Sequence, residues 1–316
     1  MPLDHFVSQV HLKQFNSPSL GELMYAFRKA DLKKFPTRKE DVCRITDHNT
    51  NPFLQQPRAI EDFLKNVEPQ YDVSLGKMRD DKIDQECIHC IAGFVAYVLT
   101  CSPAALRLNV APIEAMVGAA ARAADARGLL GKSSPSLGLK SATELLDEGS
   151  IRPVVDPKFP QALGIDSILH HTSMFGNSRW EIFRNFQCDT PFVTSDFPVA
   201  LEVSDSTAPA NRIVPLAPDI AIRIKPDIAL RGQPQDLKFG KFAATRRATK
   251  RHEVVYLNRL VVQCAEELVF YCDECWWVDP FVIKNSKYRL ENVKRAIERD
   301  GKKGIQITPQ IDLRPD

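Results

Sequence analysis

Apolar residues recur along this chain with two different periods, and the change of period divides it. In RAIEDFLKNVEPQY, which begins just after Pro57, Ile60, Phe63, Leu64 and Val67 lie three or four residues apart, the spacing of one helix face. From Ile83 to Thr100 the same spacing links Ile83, Cys87, Cys90, Ile91, Phe94, Val95 and Val98. The second half of that segment is apolar on every side, which predicts a central buried helix. Ser102 as N-cap and Pro103 in the first turn start another helix, which Pro112 is expected to kink or divide. The stretch GLLGKSSPSLG, Gly128 to Gly138, reads as a flexible loop. It is the best place for a sub-domain boundary near 128–138 in what is otherwise expected to be a single α+β domain over 1–316. Ser141 with Glu144 predicts a capping box and a short helix ending near Gly149.

Period two dominates later. RWEIFRNF, PFVTS and VALEV are short and apolar or alternating, and DIAIRIK sets Ile220, Ile222 and Ile224 against Ala221, Arg223 and Lys225. Early in the chain, ELMYAF has the same character. VVYLNRLVVQCAEELVFY is expected to be helical with Leu257, Leu260, Val261, Cys264 and Leu268 inward, and Lys284 to Lys303 a charged surface helix. Helices first and strands later predict an α+β fold, with a helical N-terminal half packed on a small, mainly antiparallel sheet from the C-terminal half.

Composition narrows the class without naming a function. The apolar fraction is 44%, the charged fraction 26% and the net charge +2, so nothing marks a nucleic-acid binder by charge alone. The longest apolar run, CIAGFVAYVLTC, is too short to span a bilayer, so no membrane partner is expected. The opening MPLDHFVSQVHLKQF has an Asp and no apolar core, which predicts no secretory signal. A cytoplasmic protein is expected, with its eight cysteines mostly reduced.

TPFVTSDFPV, Thr190 to Val199, places three oxygen-bearing side chains where a strand runs out. Together with His5-Phe-Val-Ser-Gln9-Val-His-Leu12-Lys-Gln-Phe15, the Pro215 to Pro218 segment and the Leu257-Asn258 step, it resembles a mainly bacterial family grouped as DUF4238, a domain of unknown function. Its opening motif is typically His-Tyr-Val-Pro-Gln-x-Tyr-Leu-x-x-Phe, and its later one Phe-Ile-Thr-Ser-Asp-x-Pro-Val. The likeness touches nearly the whole chain. Two departures stand out: Ser8 replaces the usual proline, and Cys101-Ser-Pro replaces an Arg-Thr-Pro step. The resemblance implies no reaction, but it picks out the same polar positions as the residues themselves.

His5, Gln9, Asp196 and Asn258 each lie at the edge of an apolar element, where a side chain is held firmly yet can reach a cleft. An imidazole titrates near neutrality and an Asp can fix its tautomer or hold a water or a divalent metal ion, so His5, Asp196 and Glu68 are the catalytic candidates. Gln9 and Asn258 would position substrate. Arg107, with Arg246 and Arg247 in the basic run KFGKFAATRRATKRH, would receive phosphate. The competing structural reading is that Thr194, Ser195 and Asp196 cap a turn, that Asn258 ties a loop to a helix start, and that the basic run is a solvated loop. Ser195 lacks a nucleophile elbow. Cys87-x-x-Cys90 and Cys272-x-x-Cys275 have one zinc spacing each, but the first pair shares an inward helix face and reads as buried thiols. His170 and His171 fit packing or surface roles. No phosphate-binding or dinucleotide loop and no His-Glu-x-x-His occurs. The expected function is an intracellular hydrolase, nuclease-like, acting on a phosphodiester in nucleic acid or another phosphate-bearing ligand. Its alternative is a binding or scaffolding module that contacts RNA or a protein through the basic loop.

Overall fold

The apolar segment after Asp84 forms the helix around which the other elements gather. Asp84 caps it by accepting the Cys87 amide at 2.9 Å, and thirteen of the seventeen residues of Gln85–Cys101 are buried, as the all-round apolar pattern requires. Ala59–Val67 crosses it at Gly93, where an added Cβ would meet Val67 at 3.0 Å and Phe63 at 3.1 Å. The computed structural model describes residues 2–203, 209–230, 232–299 and 302–314.

Ser102 ends the central helix and caps the next, Pro103–Ala126, which leaves at 62° to it. The chain stays helical through Pro112 instead of dividing there. The reason is local. Pro112 has no N–H for the Leu108 carbonyl one turn back, and Asn292 donates its side-chain amide to that carbonyl at 2.8 Å. The capping box of Ser141 and Glu144 starts Ala142–Asp147. Among the described residues no single helix is long and apolar enough to cross a membrane.

Helices and sheets together make an α+β fold, but the division between halves is not clean. Five strands from the second half form one sheet, ordered Ala243–Ala248, Arg179–Arg184, Ile220–Lys225, Asn211–Ala217 and Ala200–Glu202. All its pairs are antiparallel except the first, which is parallel. Ile220, Ile222 and Ile224 are buried in it, as their alternation predicts. A second, four-stranded sheet draws on both halves: Lys33–Arg38, Leu23–Arg28, Leu268–Tyr271 and Thr194–Ser195. Strands from the supposedly helical half are therefore part of the sheet framework.

Two predicted helices are corrected. The helix Arg251–Cys264 stops short, and Leu268–Tyr271 becomes the strand between Leu23–Arg28 and Thr194–Ser195. The charged tail is not helical either: Tyr288–Arg299 and Lys302–Leu313 pair as an antiparallel hairpin. Alternation decides this second case, since Leu290 is buried and Asn292, two residues on, reaches Leu108.

The stop at Cys264 is held by two buried charges that bond to the backbone on either side of it. Lys29 Nζ donates to the carbonyls of Val262 (2.9 Å) and Ala265 (2.6 Å) at the helix end, and to Tyr288 at 2.6 Å where the hairpin begins. Asp196 accepts the amides of Glu266, Glu267 and Leu268 at 2.9, 2.7 and 3.0 Å. Burial pushes the Asp196 carboxyl up to about 6 and the Lys29 ammonium down to about 8, and the charge of each counters the shift of the other.

Removing one member of this pair strands the other in the core. Lys29→Met and Asp196→Leu are each expected to lose about 3–5 kcal/mol in denaturant unfolding, and the double variant less than the sum of the two. Strict additivity, or a single-variant loss under about 1 kcal/mol, would show that the ions are not coupled.

Candidate active site

The opening motif builds a polar corner against the C-terminal half of the central helix. Leu3–His5 pairs with Arg44–Thr46, and the chain then turns into the short helix Gln9–Leu12. Tyr97, fully buried on the central helix, donates its hydroxyl to the His5 carbonyl at 2.5 Å and so fixes the backbone there. The Gln9 side-chain amide lies 3.1 Å from Nδ1 and 3.2 Å from Nε2 of His5, and Nε2 is 3.3 Å from the Glu40 carbonyl. The imidazole remains half-exposed.

Glu68 comes to the same corner from the turn after Ala59–Val67. Its Oε1 accepts the Ser8 hydroxyl at 2.5 Å. Burial raises its carboxyl above the usual 4.5, the Ser8 bond opposes that rise, nearby Glu61 adds to it, and His5, when charged, pulls it back down. Ser8, where the family motif has proline, is thus the residue that touches the carboxylate. Behind this pair, Asp4 accepts the Asn49 amide at 2.9 Å and the Arg58 guanidinium at 2.8 Å, while Asn49 donates to Glu61 at 2.5 Å.

The other predicted site residues lie elsewhere, each already engaged. Asp196 was expected to be free to meet His5; both its oxygens are instead taken by the amides of 266–268. Asn258, fully buried, accepts the Val193 amide at 3.1 Å and donates to the Pro191 carbonyl at 2.9 Å, which makes it a tie between loop and helix. Arg107 grips both oxygens of Glu266 at 3.0 and 2.8 Å and also reaches Glu291 at 3.1 Å, so it is a clamp on the helix-to-strand turn and the hairpin. Arg246 pairs with Asp81 at 2.5 Å, and Arg247 with Glu253 while stacking over Phe183 at 4.7 Å. They occupy a strand, not a loop. Asp81 precedes the start of the central helix, and Tyr97 lies 13 residues beyond its cap Asp84, roughly 20 Å along the axis. Arg246 therefore serves a different region from His5.

One residue of the opening motif went unnoticed in the sequence. His11 is fully buried, stacked on Phe94 with ring centroids 4.7 Å apart, with Nδ1 2.7 Å from the Tyr71 hydroxyl and Nε2 2.8 Å from Thr194 Oγ1. Burial alone pushes it down to about 3, so the ring is neutral, one nitrogen donating and the other accepting. The available signal was its position where the family motif carries a tyrosine. Thr194 thus finds a histidine, but it is His11 and not His5.

The cysteines are free thiols among the described residues. Cys87 and Cys90 donate to the carbonyls of Ser74 at 3.5 Å and Val67 at 3.3 Å inside the helical core. No group of three or more His, Cys, Asp or Glu side chains is placed to hold a metal ion among the described residues.

The family described as a protein of unknown function (DUF4238) matches residues 4–274. That span includes His5, Gln9, Glu68, the TSD segment and Asn258, and leaves out the hairpin. No curated protein and no solved structure matches the chain.

A carboxyl raised by burial makes a specific stability prediction. Since ionisation of Glu68 is harder in the folded chain, rising pH favours the unfolded state once it passes 4.5, the ordinary value. Glu68→Gln is expected to melt roughly 2 °C higher than the wild type at neutral pH, with the gain vanishing below that value. A lower melting temperature at neutral pH would mean that the carboxylate is a structural anchor.

Proposed function

The chain belongs to the DUF4238 family, and on that premise we propose that it is a hydrolase in which His5 and Glu68 exchange protons with a bound phosphodiester and its attacking water. The observation that carries this reading is the raised Glu68 carboxyl beside a half-exposed imidazole. A carboxyl whose surroundings raise its proton affinity can serve as the acid beside an imidazole base. In this reading His5 takes the proton of the water, and Glu68 gives one to the leaving oxygen. Gln9 orients the ring, Ser8 orients the carboxyl, and Arg58, which pairs with Asp4 and Glu61, is a cation behind the corner. Asp196, Asn258 and Arg107 drop out of the reaction and become supports.

Incubation with single-stranded RNA and DNA, with and without divalent metal, tests the proposal. His5→Ala and Glu68→Gln are each expected to lower cleavage about 10²-fold or more, with folding intact by melting. Cleavage in the wild type no greater than in both variants removes the hydrolase reading for these substrates.

A second reading rests on the outer strand Ala243–Ala248. It is the edge of the five-stranded sheet, five of its six residues are exposed, and it carries Arg246 and Arg247. A basic edge of this kind supports a module that binds single-stranded RNA without cleaving it. On that reading Arg246→Ala with Arg247→Ala weakens salt-sensitive RNA binding about tenfold or more, while His5→Ala leaves it unchanged. Equal RNA affinity in the double variant and the wild type removes it.

A further inference from the structure

A trough that shares no residue with the His5 corner runs along the C-terminal half of the helix Pro103–Ala126. Its floor is Ala115, Gly118 and Ala119 of that helix, one wall is the segment 149–154, and the other is the hairpin, through Lys294 and Ile305. This hollow has a volume of about 860 Å³. A neighbouring one of about 490 Å³, bordered by Pro112, Met116 and Ile307, shares Ala115, Ala119 and Ile305 with it. Together they follow the helix from Pro112 to Arg122, roughly 15 Å at the helical rise.

Both walls are held in place. A Cβ at Gly118 would stand 3.5 Å from Pro153, so the 149–154 segment packs directly on the helix. The Ile151 amide donates to the Leu145 carbonyl at 3.3 Å, and Arg122 bonds Asp147 at 2.8 Å, which ties the short helix Ala142–Asp147 to the floor. On the other side, Asn292 anchors the hairpin to the Leu108 carbonyl at 2.8 Å.

The lining is aliphatic and uneven in charge. Val154, Ile305 and Met116 are each at least 66% exposed although they border one trough, and apolar surface gathered in this way marks a place that a ligand or partner covers. Among the described residues no aromatic side chain lines it, so a nucleobase would find nothing to stack on. Arg122 is engaged by Asp147, whereas Arg152, Lys294 and Glu114 make no hydrogen bond or ion pair among the described residues. Two cations against one carboxylate leave a single positive charge, which a monoanion balances and a dianionic phosphate exceeds.

We propose that this trough binds a long-chain aliphatic carboxylate as a free monomer, its carboxylate between Arg152 and Lys294 and its alkyl chain over Ala115 and Ala119 toward Met116. The planar fork of Arg152 matches carboxylate geometry, and Lys294 adds a charge from the opposite wall. A long chain is required because the apolar lining continues past the cations to Pro112 and Ile307. Apolar hollows of this size with a few convergent polar groups are the common form of small-molecule sites. The site is independent of the hydrolase reading.

Calorimetric titration of the full chain, below micelle-forming concentrations, with sodium laurate, dodecyltrimethylammonium bromide and sodium acetate tests it. Laurate is expected to saturate one site, the cationic surfactant of equal chain length to bind about tenfold or more weakly, and acetate to bind not measurably, since charge and chain are both needed. Arg152→Gln with Lys294→Gln is expected to weaken laurate about tenfold or more and to leave the cationic surfactant bound no more weakly. Ala119→Trp, on the floor shared by both hollows, is expected to abolish laurate binding. All three positions are exposed, so the variants are expected to fold, which melting curves check. Should the double variant not fold, either single variant takes its place, with an expected loss of about threefold or more. Sedimentation of the unliganded chain tests the rival occupant: a dimer that Ala119→Trp turns into a monomer assigns the trough to a second copy and overturns the proposal. So do absence of saturable laurate binding, equal affinity for the cationic surfactant, and undiminished laurate binding in the folded variants.

Discussion

The junction between the helix Arg251–Cys264 and the strand after it depends on two buried charges, Lys29 and Asp196, each bonded to the backbone there. The ammonium takes two carbonyls that the helix Arg251–Cys264 leaves open at its end, and the carboxylate takes three amides of the segment that follows. A helix terminus has unpaired carbonyls, and buried ones must find donors. Here the donor comes from the end of an N-terminal strand and the acceptor from the TSD segment. The third Lys29 bond, to Tyr288, fixes the start of the hairpin. Four distant pieces of chain are therefore aligned by two charges. An apolar pair of similar volume could be as stable, but it would not specify where the helix must stop.

The TSD segment is accordingly a junction whose residues point in different directions. Thr194 reaches His11, Ser195 holds the Phe197 amide, and Asp196 ends the helix. Much of this was legible in the sequence as a kind of place: a strand that stops, followed by capping residues and a proline. The partners were not legible, because sequence reveals the chemistry of a side chain and not its direction. The helix that should have run on to Tyr271 shows the same limit. Leu257, Leu260, Val261, Cys264 and Leu268 keep helical spacing, so periodicity alone cannot place a break that is set by residues 29 and 196.

Local readings fared better because local physics decides them. The central helix is apolar all round, and Ser102 and Ser141 cap through their own side chains. His5 and Gln9 meet because only four residues separate them across one turn of chain. Pro112 misled for the opposite reason: its cost was real, but the donor that offsets it is Asn292, far along the chain. Arg107 misled in the same way, since a basic side chain free to bind phosphate and one clamped to Glu266 look identical in sequence.

Two carboxyls of this protein, Asp196 buried and Glu68 half-buried, differ in their partners. Burial raises both Asp196 and Glu68. Asp196 accepts three amides and feels the charge of Lys29, so both its oxygens are occupied by structure. Glu68 has a single hydroxyl donor and a half-exposed imidazole beside it. A half-buried carboxyl with few donors is one place where a proton can pass, which is what the hydrolase proposal draws on. The incomplete set of partners around Glu68, more than the motif that first drew notice to Asp196, supports the proposal of proton transfer at the His5 corner.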